Sequence, residues 1–403
     1  MTSRPSGAAL RRAGPPILHG FRLFFLTASI WAVLAMAIWV PLLRGIFTLP
    51  GGLGPIDWHA HEMVFGYVFA VLAGFLLTAV PNWTGRLPLT GRPIAVLGLL
   101  WLAGRVAMAS AGRADTAGPW IAATLDLVFP LVLAAAIGRE ILAARNQRNL
   151  KVLVLLALLI AADAGFHAAL ILEADTRPWL RAGLGVTLLL IMLVGGRIVP
   201  SFTRNWLAKQ PGRGPLPVPF NRFDAVCMAV AAVALALWAI LPEAPITAWA
   251  ALAAGLLHIA RLARWAGWRT GGEALVLVLH LAYAFVPIGF LAVALSVLLP
   301  GSLTPQAALH AWSAGAVGLM TLAVMSRAAL GHGGLPLKAG PAACMAYACL
   351  TVAALARIAA GSSLAGDLAM PLTDLAAGCW IVGFLVFVIG YRRVLTGGSA
   401  ARA

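Results

Sequence analysis

Apolar runs long enough to cross a bilayer as helices, about 20 residues each, recur along the whole chain and are broken by short turns rich in Gly, Pro and Arg. Twelve such segments are predicted, at 22–47, 60–81, 93–112, 119–142, 150–173, 179–200, 223–242, 246–266, 273–297, 306–329, 340–360 and 371–392. Backbone N–H and C=O groups inside lipid must be satisfied within the segment, so runs of this length are read as helices. The fold class is all-α: a polytopic membrane protein with 12 transmembrane helices, residues 1–403 forming one integral membrane domain with tails at 1–20 and 393–403.

An internal repeat is visible in the polar punctuation of these segments. Gly66 is followed fourteen residues later by Val80-Pro81-x-x-Thr84, and Gly185 fourteen residues later by Val199-Pro200-x-x-Thr203. Placing Gly315 on Gly66 sets His310 on His61, and it sets Arg327 where the sixth segment has Arg197. A repeat every four helices with unchanged orientation suggests three pseudo-equivalent four-helix arcs about an axis along the membrane normal.

With 62% of its residues apolar and 10% charged, the chain leaves no room for a soluble domain. Its net charge of +16 would suit nucleic acid, but the basic residues sort by side of the membrane. With the N-terminus in the cytoplasm, 23 of the 29 Lys and Arg fall in the tails and alternate loops, among them Arg11, Arg12, Arg145, Arg148, Arg204, Lys209, Arg264 and Arg392. The other side has Arg44, Arg113, Arg177, Arg181 and Arg357, with Arg105 inside the third segment. This positive-inside pattern places both termini in the cytoplasm of a bacterial inner membrane and makes the bilayer, not nucleic acid, the partner. No cleavable signal peptide is read in the short N-terminal tail. Cys227, Cys344, Cys349 and Cys379 lie in apolar helices without Cys-x-x-Cys spacing, so no disulfide framework or thiolate metal site follows.

Against this apolar background the string Asp57-Trp58-His59-Ala60-His61-Glu62 opens the second segment. Ionisable residues at membrane depth mark ion paths, proton paths or cofactors, and imidazole is the usual protein ligand of haem iron and copper. Counting rise along the helices, His59, His61 and His310 fall at one outer level. His59 and His61 stand about 200° apart on a regular helix, so only an irregular first turn would aim both at one metal. Otherwise one is the ligand, and its neighbour supports it or serves a second centre. Asp163 and His167 share a face of the fifth segment, as support for a ligand or as a proton relay, and His167 joins the metal candidates. His258 and His280 fall near mid-bilayer on adjacent antiparallel helices and form a second candidate pair. His332 lies in a cytoplasmic loop and joins the metal candidates. Arg105 and Asp126 are expected to pair. Glu62 and Asp163 are the candidates for proton transfer, Glu62 from the outer surface. The small residues at Gly66, Ala70 and Ala73 suit either a flat macrocycle against the backbone or close helix packing. No phosphate-cradling loop, nucleophile elbow or His-Glu-x-x-His is present.

The strings Trp58-His59-Ala60-His61-Glu62-Met63-Val64-Phe65-Gly66-Tyr67, then Ala73-Gly74-Phe75-Leu76-Leu77-Thr78-Ala79-Val80-Pro81-Asn82-Trp83-Thr84-Gly85, and later Met325-Ser326-Arg327-Ala328-Ala329-Leu330-Gly331-His332, resemble the NnrS family of nitric-oxide-response membrane proteins. His280-Leu281-Ala282-Tyr283 agrees. The resemblance implies an inner-membrane protein carrying haem b, with copper or a second haem as a further cofactor, that protects bacteria against nitric oxide. It implies no established catalytic residue. A weaker likeness is to subunit I of the haem-copper oxidases and nitric oxide reductases, where histidines of the second and tenth helices hold a haem. His61 and His310 occupy those places, but the chain lacks that family's His-x-His in the tenth segment and its adjacent His-His in the seventh.

The function expected is therefore haem-dependent capture and reduction of nitric oxide, with electrons from an unidentified donor. His59, His61, His310, His258 and His280 are the expected ligands, and any copper or iron centre beside the haem would be built from His258 and His280. The alternatives are an NO sensor or metal-homeostasis protein without turnover, and a transporter or metal exporter whose histidines bind cargo in transit. No inverted repeat supports the last.

Overall fold

The computed structural model describes residues 17–111, 117–211 and 214–397. The expectations for the outermost tail residues, including Arg11 and Arg12, and for Arg113 lie outside them. Among the described residues twelve helices are long and apolar enough to span a membrane: α1 Gly20–Leu43, α2 Pro55–Thr84, α3 Arg92–Ala109, α4 Gly118–Ala143, α5 Leu150–Ile171, α6 Arg177–Leu207, α7 Arg222–Ile240, α8 Pro245–Arg269, α9 Ala274–Leu298, α10 Pro305–His332, α11 Pro341–Ala360 and α12 Gly366–Thr396. "Outer" below means the side that the charge pattern assigns away from the cytoplasm.

The elements match the expected segments, and differences lie at the ends. α2 begins at Pro55, not near 60, because proline at the first helical position loses no hydrogen bond and starts the turn. α6 runs through Pro200 to Leu207, as prolines within membrane helices can when neighbouring groups satisfy the freed carbonyl. Gly85, at φ 69°, ends α2 in the left-handed conformation that glycine adopts without strain. α7 opens with a reciprocal cap in which Asn221 accepts from the Phe223 N–H and Asp224 accepts from the Asn221 N–H.

Sequential helices pack as antiparallel neighbours, and α12 packs back on α1 to close the bundle. α2, α6 and α10 touch one another pairwise at the centre. In α2, α6, α9 and α10 two thirds or more of the apolar stretch is buried, against less than half in every other helix. α1 also meets α10 and α9 meets α6, and α5 reaches α2 through the side chains of Asp163 and His61. That is the arrangement the four-helix repeat anticipates. α2 and α10 share a further feature: each widens into π-helical turns, over Glu62–Tyr67 and Ala311–Leu319, around the matched Gly66 and Gly315. Such widened turns occur frequently at functional sites.

Candidate functional site

The helix is regular through His61 and widens only from Glu62, so His59 and His61 point to different neighbours. His61 is fully buried and turns toward α4 and α5. Its Nε2 lies 3.0 Å from Asp126 Oδ2 and 3.1 Å from Asp163 Oδ1, and its Nδ1 lies 3.2 Å from Glu62 Oε1. His167 brings its own Nε2 to the same two oxygens, at 3.1 Å and 3.8 Å. Arg105 reaches over from α3, 2.7 Å from Glu62 Oε2 and in a tight ion pair with Asp126 Oδ1. The expected Arg105–Asp126 pair is thus present, together with four further ionisable side chains, His61, Glu62, Asp163 and His167.

Local sequence builds this cluster. Gly66 lies directly beneath Arg105, where any side chain would meet the guanidinium, and its carbonyl accepts from Trp101 Nε1 at 2.9 Å. The small-residue face of α2 at Gly66 is therefore filled by α3, and Gly74 packs on Phe24 and Phe25 of α1. Helix packing, not room for a macrocycle, accounts for these positions. Glu62 is likewise not at an outer surface: it is fully buried between His61 and Arg105.

His59 faces the opposite way. Its ring stacks on Trp39 at a centroid distance of 4.2 Å. It lies close enough to His310 and Arg357 to interact electrostatically with both. His310 Nδ1 is 2.6 Å from the Gln306 carbonyl, which fixes a proton on that nitrogen and leaves Nε2 a free lone pair. Among the described residues, His59 Nδ1, Trp39 Nε1 and Arg357 Nε are buried without a hydrogen-bond partner. Of the two histidines, His59 is the one with His310 in its electrostatic surroundings, whereas His61 is engaged by Glu62, Asp126 and Asp163.

His258 and His280 do not converge on one point. His258 Nδ1 contacts Tyr283 OH at 2.9 Å and its Nε2 the Cys227 carbonyl at 3.3 Å. His280 Nε2 contacts Thr203 Oγ1 at 2.7 Å. Among the described residues the two imidazoles share no partner: His258 uses both ring nitrogens, His280 Nδ1 has none, and the rings of Trp265 and Tyr283 lie between them. The shared centre expected from their depth is thus replaced by an ion-pair network: Arg261 donates from Nε to Asp224 at 2.8 Å and from Nη1 to Tyr283 at 2.7 Å, with Gly196 against its guanidinium. His332 ends α10 with its ring 5.6 Å from Phe21. The four cysteines are free.

The NnrS protein family model matches residues 15–398, nearly the whole chain. The chain belongs to the NnrS family. Among curated proteins none matches it. NnrS membership fits a nitric-oxide-response membrane protein, and the twelve spanning helices agree with its multi-pass character. Sequence reasoning on this NnrS chain missed Asp126 as a partner of His61, Arg357 and Trp39 beside His59, and the Asp224–Arg261–Tyr283 network. The available signal was the rarity of charge at membrane depth, which marks Arg105, Asp126, Asp163, Asp224 and Arg261 individually but not their partners.

Proposed function

We propose that this protein carries haem b at the outer ends of α2 and α10 and uses it to capture and reduce nitric oxide in a bacterial inner membrane, with both termini cytoplasmic. One observation carries the reading: among the described residues, His59 Nδ1, the Nε1 of Trp39 stacked on it, and Arg357 Nε are buried without a hydrogen-bond partner, and His59 lies within electrostatic range of His310 and Arg357. Buried polar atoms are rarely left unsatisfied, and this set fits a haem. The two imidazoles would be its ligands, and the Arg357 and Trp39 N–H groups would meet its carboxylates. When bound, haem supplies affinity for NO and a means of accepting electrons from a membrane donor.

The chain's own residues have definite tasks in such a protein. Gln306 holds the His310 tautomer, leaving Nε2 unprotonated toward a metal. Nitric oxide is small and apolar and partitions into lipid. A shallow groove on the outside of α4 and α5, lined by Trp120, Leu127, Ala164 and Ile171, reaches His167 and offers an apolar approach to the cluster. Reduction of two NO molecules to nitrous oxide and water consumes two protons and two electrons. Glu62 and Asp163 are the groups that would hold and pass those protons, through the hydrogen bonds each makes with His61.

The purified full-length protein is expected to show a Soret band that shifts on addition of NO to the reduced form. His59→Ala and His310→Ala should lose or shift that band, while His258→Ala and His280→Ala keep it. A protein that inserts and folds but shows no Soret band after haem supplementation would overturn the reading. Consumption of NO by reduced membranes, followed with an electrode, separates an enzyme from a sensor.

A further inference from the structure

Beyond the outer-end haem reading, and at residues to which that reading gives the handling of protons, the cluster between α2, α4 and α5 has the form of a metal site. His61 Nε2, His167 Nε2, Asp126 and Asp163 each offer one ligand atom, and these four atoms lie within 4.8 Å of one another, all on buried residues. A tetrahedral ion with bonds of about 2.0–2.1 Å to nitrogen and oxygen separates its ligands by roughly 3.3–3.4 Å. The four imidazole-to-carboxylate separations are 3.0, 3.1, 3.1 and 3.8 Å, which bracket that edge. The ligands come from three helices, so no single helix face explains the convergence.

Hydrogen bonding alone leaves this arrangement incomplete. Each imidazole nitrogen carries at most one hydrogen, yet both Nε2 atoms are directed at the same two oxygens. Asp163 Oδ2 is buried with no partner among the described residues, although Asp163 is wholly buried. Charge points the same way. One guanidinium, Arg105, faces Glu62, Asp126 and Asp163 in a dehydrated interior, and uncompensated buried charge is strongly disfavoured. A divalent cation balances the three carboxylates together with Arg105. At His61 the surroundings match those of known metal histidines, whose second nitrogen is commonly held by a carboxylate, whereas His167 Nδ1 has no partner among the described residues. Here Glu62 occupies that position at His61 Nδ1, and Arg105 in turn anchors Glu62.

We propose that His61, Asp126, Asp163 and His167 bind one non-haem divalent first-row transition ion, of the iron(II), manganese(II) or zinc(II) class. The donor set of imidazole and carboxylate, with no thiolate or thioether, disfavours cuprous copper. Glu62 and Arg105 are positioning residues that orient the ligands.

The test uses the full chain in detergent. Purified protein is analysed for metals, then titrated with Mn(II) while free Mn(II) is followed by electron paramagnetic resonance, and with Zn(II) in competition. One high-affinity divalent site per chain is expected, over and above any haem iron. His167→Gln and Asp163→Asn should each weaken Mn(II) binding at least tenfold, with haem content unchanged. Glu62→Gln should weaken it by about tenfold, the lower end of effects from removing a ligand's supporting group. His59→Ala should leave Mn(II) binding intact while altering any Soret band, which keeps failure of the two readings distinguishable. Folded wild-type protein that binds neither Mn(II) nor Zn(II) would show a cluster holding only protons and would overturn the proposal. So would equal affinity in wild type, His167→Gln and Asp163→Asn, or binding of cuprous copper alone. If a variant fails to fold, the wild-type titration decides by itself.

Discussion

In the network between α6 and α9, one aspartate is served by two arginines: Asp224 lies 2.8 Å from Arg261 and 3.7 Å from Arg264. In the cluster between α2 and α5, one arginine pairs with two of three carboxylates, Glu62 and Asp126, and two imidazoles gather around the three. Both sites bury charge, and both set a glycine, Gly196 or Gly66, against the guanidinium. The difference is the sign of the excess charge. Arg261 also donates to the Met192 carbonyl and Tyr283, and the inner network has cations to spare for its single carboxylate, with Arg261 Nη2 and Arg264 Nη1 lacking a hydrogen-bond partner among the described residues. The outer cluster has an excess of acid and converging lone pairs. A cation-rich network is closed to a further cation, whereas an acid-rich one is open to a cation or to moving protons. Burial of charge alone therefore does not identify a functional site; an excess of acid beside imidazoles does.

The largest test of this contrast is removal of each arginine. Arg105→Leu leaves three buried carboxylates without their cation and should cost about 3–5 kcal/mol. Arg261→Leu leaves Asp224 with Arg264 and the Asn221 N–H and should cost less, about 1–3 kcal/mol. Thermal unfolding in detergent reads both. A larger loss for Arg261→Leu would remove the distinction between open and closed networks.

Next in size is the close approach at the glycines. A methyl group on Gly66 would meet the Arg105 guanidinium and, at 2.6 Å, Glu62 Oε2. Gly66→Ala should therefore cost about 1–3 kcal/mol through overpacking. Gly185 holds the same frame position in α6 but has only an ordinary contact, 3.5 Å from Leu235. Gly185→Ala should change stability by less than about 0.5 kcal/mol. Equal effects at the two positions would mean that Arg105 can move aside, and that the cluster is not rigid.

Glu62→Gln sharpens the functional side. The amide keeps the shape but cannot titrate, so NO consumption should fall about tenfold or more, since a positioned acid contributes ~10²–10⁴-fold and water substitutes in part. Haem content should be unchanged. An unchanged rate would exclude Glu62 as a proton donor, and lost haem would recast it as a structural residue.

How much of this was legible in the sequence follows from what one-dimensional patterns encode. Twelve spans and the four-helix repeat are written in hydropathy and in Gly66, Gly185 and Gly315, and depth along each helix correctly joined Arg105 to Asp126. Azimuth was not legible. His61 and His310 share a depth, as do His258 and His280, but which way each ring points depends on neighbouring helices. His59 and His61 stand on nearly opposite faces, so the choice between them as partner of His310 needed the packing of Trp39 and α4–α5. Likewise Glu62 stands at the first turns of α2 yet is covered by Arg105, a residue 43 positions away in sequence.

A smaller effect on function than Glu62→Gln is expected at His280, whose Nε2 is held by Thr203 and whose Nδ1 has no hydrogen-bond partner among the described residues. Thr203 contacts His280 Nε2 at 2.7 Å and also donates or shares its hydroxyl with the Val199 carbonyl at 2.8 Å within its own helix. Thr203→Val keeps the volume near constant and removes one partner from His280, so stability should fall by about 1 kcal/mol. Because this imidazole serves contacts between α6 and α9 and does not converge with His258, the substitution should leave the Soret band, divalent-ion binding and NO consumption as in wild type. An altered visible spectrum in Thr203→Val would show that His280 does act on a cofactor. It would also place function in the inner half of the bundle, where the cation-rich surroundings of Arg261 leave no excess of acid to hold a metal ion.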